Sequence, residues 1–206
     1  MNRIAICIGL ACSMALAFGQ AATKRIAPGK QLGKMSVGDL MEDMKWLKHA
    51  DYGDASSGHQ WQTWEARKPD PRNGKIINSL DVYSSVNDAG KYQIRLIRST
   101  SPTFATADKI RVGADYEEIK KHYPKIAKIA DYESPQFSMK VALYDDEAAG
   151  IAFEFKYRPG GVVFRHDHCL SIWVHEPGLK LLKEYYGPVE YLTAKPILRR
   201  AAKQAR

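Results

Sequence analysis

A 75-residue internal repeat constrains the fold of this chain more than any other feature of its sequence. Landmarks at both ends of the repeated unit recur at this spacing: Val37-Gly38 as Val112-Gly113, Glu42–Lys45 as Glu117–Lys120, Ile97 as Ile172, and Pro102 as Pro177. Two separate landmarks at one spacing indicate an internal duplication. We therefore expect two copies of one small structural unit, packed side by side.

Each copy begins with a segment of helical periodicity and continues with strand-like segments. Residues 39–48 place Leu40, Met44 and Leu47 at helical spacing, with acidic residues early and lysines late. Alternating apolar and polar residues then predict antiparallel strands at 60–66, 79–86 and 92–97, and again at 139–144, 151–157, 162–164 and 170–175. The predicted fold class is α+β, with two repeated helix-then-antiparallel-meander modules packed as one layered body. The helices would cover one sheet face and leave the other partly exposed.

The first residues have the pattern of a signal peptide. Arg3 precedes an apolar run over 4–16, and Ala17-Phe18-Gly19 supplies the small residues of a cleavage site before Gln20. Acylation of Cys12 is the alternative. The predicted organisation is a signal peptide (1–19), a flexible arm (20–33), module 1 (34–102), module 2 (103–178), a C-terminal helix (179–194) and a basic tail (195–206). We expect a periplasmic or secreted protein without a transmembrane span, because the apolar run is too short for one.

The charge balance bears on the partner. The formal net charge is +8, and it falls to +7 once Arg3 leaves with the leader. We expect another envelope or extracellular protein as the partner. The alternative is an anionic envelope surface, contacted through the tail residues Lys195, Arg199, Arg200, Lys203 and Arg206. Export makes nucleic acid an unexpected partner.

The segment 165–169 holds the one cluster with chemical content. On a strand, His166 and His168 face the same side, and His175 could join them if its strand pairs with this one. Neutral imidazoles suit a first-row metal ion, whereas the simpler interpretation is a charged hairpin turn before a core strand. Cys169 is expected to be a buried small residue without a disulfide partner, since Cys7 and Cys12 lie in the leader.

Aromatic residues on the predicted strands are candidates for a binding face. We select Trp173, Trp61 and Tyr83, because aromatic side chains are enriched at recognition hot spots. Trp173 alternates with Ile172 and Val174, so it should face away from the core if those two residues are buried.

The repeated pattern resembles a known fold family. A Val-Gly turn (Val112-Gly113), a helix with Glu117–Lys120, and strands with Gly150–Phe153 and Ile172–Val174 are similar to modules of the beta-lactamase-inhibitor-protein-like fold. That group includes the small outer-membrane lipoprotein of the barrel-assembly machinery and tandem inhibitor proteins. The resemblance implies an exported protein that binds another protein through the open sheet face or loops.

These observations together predict a non-enzymatic binding or inhibitor-like module that acts by protein–protein contact in the bacterial envelope or outside it. No catalytic residue and no cofactor is assigned. The alternatives are a metal-binding periplasmic protein that uses His166 and His168, or a small hydrolase.

Overall fold

The computed structural model describes residues 24–68, 76–134, 137, 139–157 and 167–181. Three short strands come first: β1 (Ile26–Ala27), β2 (Gln31–Leu32) and β3 (Met35–Ser36). The longer strands are β4 (Tyr52–Ser56), β5 (His59–Lys68), β6 (Ile76–Val86), β7 (Tyr92–Ser99), β8 (Ala127–Ser134), β9 (Met139–Asp146), β10 (Ile151–Lys156) and β11 (Ser171–His175). One α-helix lies within the described residues, α1 (Tyr116–His122), together with a single 3₁₀ turn at Met41–Asp43.

The longer strands form one eight-stranded antiparallel sheet in the order β4-β5-β6-β7-β11-β10-β9-β8. Each half of the sheet is a four-stranded meander, β4 to β7 and β8 to β11. The last strands of the two meanders pair with each other at the centre. β1, β2 and β3 form a separate three-stranded sheet.

Backbone contacts recur at a spacing of 75 residues. Gly38 and Gly113 both have positive φ, at 96° and 94°, a conformation that glycine adopts without steric cost. The Gly38 amide donates to β7, and the Gly113 amide donates to the residues just before β11. These are the two strands that the halves contribute to the centre of the sheet. The matching contacts are Gly38 to the Ile94 carbonyl and Gly113 to the Cys169 carbonyl, Ile94 to Asp39 and Cys169 to Ala114, and the bridges Leu40–Gln93 and Asp115–His168. The glycine turns thus place equivalent segments against equivalent strands.

The predicted α+β class is wrong, because the architecture is mainly β and repeated helices are not found in the described residues. In the second half, α1 forms with Glu117 and Glu118 in its first turn and basic residues in its last turn, which suits the helix dipole. In the first half, the segment 39–48 does not form the expected helix. Its amides at Met44 and Leu47 donate three residues back, to Met41 and Met44, in successive tight turns.

The helical periodicity of 39–48 has another explanation. Met41, Met44 and Leu47 are half-buried against the sheet, so the apolar spacing reflects packing of an irregular segment. At its start, Asp39 accepts the Ile94 amide and Leu40 bridges to Gln93, which ties the chain to β7 instead of to a helix.

Both faces of the sheet are buried around its centre. On the first face, β1 to β3, the 39–48 segment and α1 cover a large apolar core that includes Ile97, Phe153, Ile172 and Val174. On the second face lies a smaller cluster that includes Leu96, Leu143 and Trp173. The expectation of a partly exposed second face therefore does not hold at the centre, and β10, buried along nearly its whole length, is a strand with two inner faces.

Candidate functional site

A row of residues in which Thr63, Asp81, Arg98 and Asp145 are polar crosses the centre of the second sheet face. The row follows the strand register from β5 to β9 and contains Thr63, Asp81, Arg98, Trp173, Ala152 and Asp145. Each of these residues lies directly opposite the next in the neighbouring strand, so side chains in the row are within contact range. A row of this polarity inside a sheet centre marks the candidate site.

Arg98 occupies the middle of the row and binds two carboxylates. Its Nη1 donates to Asp81 Oδ2 at 2.5 Å and its Nη2 donates to Glu154 Oε2 at 2.6 Å. All three side chains are at most 1% exposed. Asp81 belongs to the first half of the sheet and Glu154 to the second half, so the guanidinium joins the two halves.

Hydroxyl groups complete the coordination of both carboxylates. Asp81 accepts from Thr63 Oγ1 at 2.6 Å and from Ser79 Oγ at 3.1 Å. Glu154 accepts from the Tyr132 hydroxyl and from Ser171 Oγ. Such donors offset much of the cost of removing charged groups from water.

The carboxylates around Arg98 stabilise its positive charge. Burial acts to lower the pKa of Arg98, but the charges of Glu154 and then Asp81 outweigh it and raise the pKa above its ordinary value. The guanidinium carbon also lies 5.7 Å from the ring centroid of Trp173 and 5.6 Å from that of Phe137. Arg98 therefore stays charged, and it is enclosed by carboxylates and aromatic rings.

The three aromatic residues selected from the sequence lie on this same face. Trp61 and Tyr83 are neighbours, with ring centroids 6.1 Å apart, and Tyr83 shares a hydrogen bond of 2.6 Å with His59. Trp173 faces away from Ile172 and Val174, as the alternation indicates, and its Nε1 donates to Ser171 Oγ at 3.0 Å. All three are nearly fully buried, so they pack the interior of the second face and do not offer an open aromatic surface.

The histidines selected as metal ligands are not brought together where the structure describes them. His175 is buried and hydrogen-bonded through Nε2 to Asp145 Oδ1 at 2.9 Å. His168 is exposed and lies 2.8 Å from Asp115. His166 lies outside the described residues, and within those residues no group of three or more His, Cys, Asp or Glu side chains could hold a metal ion.

Cys169 is buried next to the charged cluster. Its thiol donates to the Ser171 carbonyl at 3.1 Å. Burial, followed by the charge of Glu154, raises the pKa of this thiol far above its ordinary value. A thiol that stays protonated is a poor nucleophile, so the cluster lacks an activated cysteine.

Sequence reasoning missed the three charged residues at the centre of the site. Each stands in a strand segment directly after an apolar residue, Asp81 after Leu80, Arg98 after Ile97 and Glu154 after Phe153. A charge at such a position suggests an exposed strand face when the sheet has one solvated side. One sequence pattern could have identified these three residues. It is the presence of oppositely charged residues at corresponding positions of strands that are apolar on both faces.

Comparison with known proteins adds little to this description. No protein-family model matches the chain, and no curated protein matches it. A solved structure of the uncharacterized protein YfeY from Escherichia coli is similar with a TM-score of 0.40 and 10% sequence identity, over 75% of this chain and 100% of that one. This degree of likeness carries no statement about function. Among the residues that the structure describes, no helix has the length and apolar character needed to cross a membrane.

Proposed function

We propose that this chain is an exported, non-enzymatic binding protein that acts through contact with another protein in the envelope or outside the cell. The contact surface is the β4 edge, defined as strand β4 and Trp46 in the segment before it. The partner contributes an extended segment that pairs with β4, as in recognition by strand addition. The single observation that carries the proposal is the position of β4 at the edge of the sheet formed by the described strands.

Strand β4 pairs with only one neighbour, β5, in the described part of the chain. Its register with β5 runs without a bulge from Tyr52 to Ser56. The amide of Ala55 donates to the carboxylate of its own neighbour, Asp54, at 2.9 Å. This amide therefore points away from β5, and a partner strand needs only to displace an exposed carboxylate to reach it.

The opposite edge of the sheet is protected. Strand β8 contains a bulge between Lys128 and Ala130, where the register with β9 shifts. Lys128 and Asp131 form an ion pair of 2.8 Å on the same strand. Bulges and charges are the devices by which proteins block pairing at a sheet edge, so the two edges differ in their capacity to accept a strand.

Trp46 lies in the segment that leads into β4. It is 51% exposed, the largest fraction among the big hydrophobic side chains of the described residues, and Lys34 lies 5.9 Å from its ring centroid. Its segment is held on β5, because Trp64 Nε1 donates to the Lys48 carbonyl at 2.8 Å. An exposed tryptophan on an anchored segment is typical of an interface anchor.

Photo-crosslinking tests this function. A photoreactive residue replaces Ala55 in the full chain, expressed with its leader, and a matched chain carries the same residue at the exposed helix position Lys121. We expect a discrete protein adduct from position 55 that Trp46→Ala reduces by about tenfold, and none of that size from position 121. Identical adducts from both positions, or none from position 55, would reject the β4 edge as the contact.

The remaining parts of the prediction lie outside the described residues. They are the leader, most of the C-terminal helix, and the basic tail with Lys195, Arg199, Arg200, Lys203 and Arg206. Contact of that tail with an anionic surface stays a prediction.

A further inference from the structure

We propose that a cleft beside α1 binds a small amphiphilic ligand that carries a phosphate group. The cleft, called the basic cleft below, has a volume of about 680 Å³. Its walls are the 25–30 segment, the 106–108 loop, the chain at 122–125 after α1, and the turn between β9 and β10. This volume is in the range of small-molecule sites, and the cleft is separate from the β4 edge.

The walls of the basic cleft are held by backbone hydrogen bonds. Ile26 donates to the Ala105 carbonyl at 2.7 Å, and Gly29 donates to the Gly150 carbonyl at 3.0 Å. In the loop, Thr106 donates to the Ile110 carbonyl at 2.9 Å. Because the walls are already fixed, a ligand pays little ordering cost on binding.

Three residues with cationic side chains contribute to the walls of the cleft. Arg25, Lys30 and Lys125 line the cleft and are exposed. None of them is in an ion pair with a carboxylate of the described residues, in contrast to Lys91 and Arg95 elsewhere on the surface. Guanidinium and ammonium side chains that line one cleft without carboxylate partners favour a phosphate, which accepts several charge-assisted hydrogen bonds.

The interior of the cleft is less polar than its rim. Ile26 and Tyr123 are buried in its wall, and Pro28, Pro124 and Ala149 also line it. Burial raises the pKa of the Tyr123 hydroxyl, and a hydrogen bond with the Thr106 side chain acts in the opposite direction. An apolar interior with a cationic rim suits a ligand with an apolar body and one anionic end.

Two carboxylates also line the cleft and set a limit on its affinity for anions. Asp108 Oδ2 lies 4.0 Å from His122 Nδ1. Asp146 Oδ1 accepts the Ala149 amide at 3.1 Å and so holds the β9–β10 turn. With His122 neutral, the lining carries three positive and two negative charges.

The charged lining residues that follow Ala105 have no charged counterparts in the first half of the repeat. The positions 75 residues before Asp108, His122 and Lys125 hold Gly33, Leu47 and Ala50. Residues that serve the repeated scaffold recur at this spacing, as Met35 and Ile110 do in the first core. The chemistry of the basic cleft is thus an addition to the scaffold, which favours a role in binding over a role in folding.

Titration of the full chain with phenyl phosphate tests this inference. We expect saturable binding at one site, weakened at least about tenfold by the double change Arg25→Gln and Lys125→Gln. The matched control, Lys45→Gln with Lys156→Gln, removes the same charge outside the cleft and should change affinity less than about twofold. Asp108→Asn should tighten binding, because it removes a negative charge from the rim.

Two further probes distinguish the source of the phosphate group. Inorganic phosphate should bind more weakly than phenyl phosphate, since it lacks an apolar body. The second probe is vesicles of phosphatidylglycerol and phosphatidylcholine. If the vesicles retain the protein and phenyl phosphate releases the protein from them, the phosphate belongs to a lipid headgroup. If the vesicles do not retain the protein, the ligand is a free organic phosphate. Equal loss of phenyl phosphate binding in both double variants, or no saturable binding in the parent, would overturn the inference. Trp46→Ala should leave phenyl phosphate binding unchanged, because Trp46 belongs to the β4 edge and not to the basic cleft. A failure of the phosphate inference is therefore distinguishable from a failure of the proposed protein contact at the β4 edge.

Discussion

Arg98 and Trp173 lie opposite each other in the central strand pair, and they are 75 positions apart in the sequence. The flanking pairs follow the same two-fold relationship, with Ile97 opposite Val174 and Ser99 opposite Ile172. The two halves of the sheet therefore meet at equivalent residues. At this meeting point one half supplies a buried cation, and the other supplies an aromatic ring and, through Glu154, a carboxylate.

Replacement of Arg98 by Met should destabilise the protein by about 3–5 kcal/mol, because it leaves Asp81 and Glu154 buried without their cation. Urea denaturation followed by circular dichroism measures the loss. Arg95→Met is the control, since the Arg95–Glu176 pair is part-exposed and should contribute less than about 1 kcal/mol. Similar losses in the two variants would contradict a special role for the central cluster.

Gly150→Ala should cost about 3 kcal/mol or more. Gly150 has φ of 70°, and an added Cβ would meet the His175 carbonyl oxygen and lie 2.6 Å from Gly29 Cα. Gly90→Ala has the same backbone strain at φ 74° but open space around it, and should cost about 1 kcal/mol. The difference between their unfolding free energies isolates the steric contact. Equal values would show that the β9–β10 turn can move away from the 25–30 segment.

Ser171→Ala should cost about 1–3 kcal/mol, because it leaves the buried Trp173 Nε1 without its acceptor and removes a donor from Glu154. Ser101→Ala, at a part-exposed loop position, should stay within about 0.5 kcal/mol. Thermal unfolding and the near-ultraviolet circular dichroism of the tryptophans report the change. A stable Ser171→Ala variant with an unaltered tryptophan signal would argue against the hydrogen bonds of Ser171 with Glu154 and Trp173.

Cys169 should resist thiol reagents in the folded protein at pH 8. Its thiol is 2% exposed, and burial raises the pKa well above the ordinary range, so the reactive thiolate is scarce. Iodoacetamide labelling of the full chain, with mass spectrometry of the peptide that contains Cys169, measures this protection. Labelling should become fast in urea. Fast labelling without urea would mean that the core around Cys169 opens readily.

Stability should fall as the pH rises from about 10 to about 12. Burial, with smaller effects of Tyr116 and Asp131, raises the pKa of Tyr144 to about 12. Between these values the unfolded chain has lost the tyrosine proton and the folded chain has kept it, so alkali favours unfolding. The raised pKa values of Tyr116 and Tyr123 act in the same direction. Tyr144→Phe should flatten the pH dependence of the urea midpoint, and an unchanged slope would contradict this assignment.

Local patterns predicted the local features of the fold. The alternation at 92–97 and at 151–157 corresponds to β7 and β10, and the acidic-to-basic order of Tyr116–His122 corresponds to α1. Strands β4 and β8 went unpredicted. The segment Tyr52–Ser56 contains Gly53 and Asp54, which have low strand propensity, and it is held in place by its pairing with β5.

The candidate site could not be derived in the same way, because its members come from distant positions. Arg98 meets Glu154 only because β7 and β11 pair at the centre of the sheet, which brings β10 within one strand of β7. The predicted aromatic residues share one face, but the burial of that face depends on what packs over it. The predicted metal ligands His168 and His175 instead have separate carboxylate partners, Asp115 and Asp145.

The sequence by itself determined the 75-residue spacing, the glycine turns at Gly38 and Gly113, and the alternation of the central strands, because each depends on residues close together in the chain or on a recurring residue type. Tertiary structure alone decided that 39–48 packs as an irregular segment, that both sheet faces are buried, and that Arg98 binds carboxylates of both halves. These outcomes depend on which strands become neighbours. Burial and hydrogen bonding between distant segments then outweigh local preference.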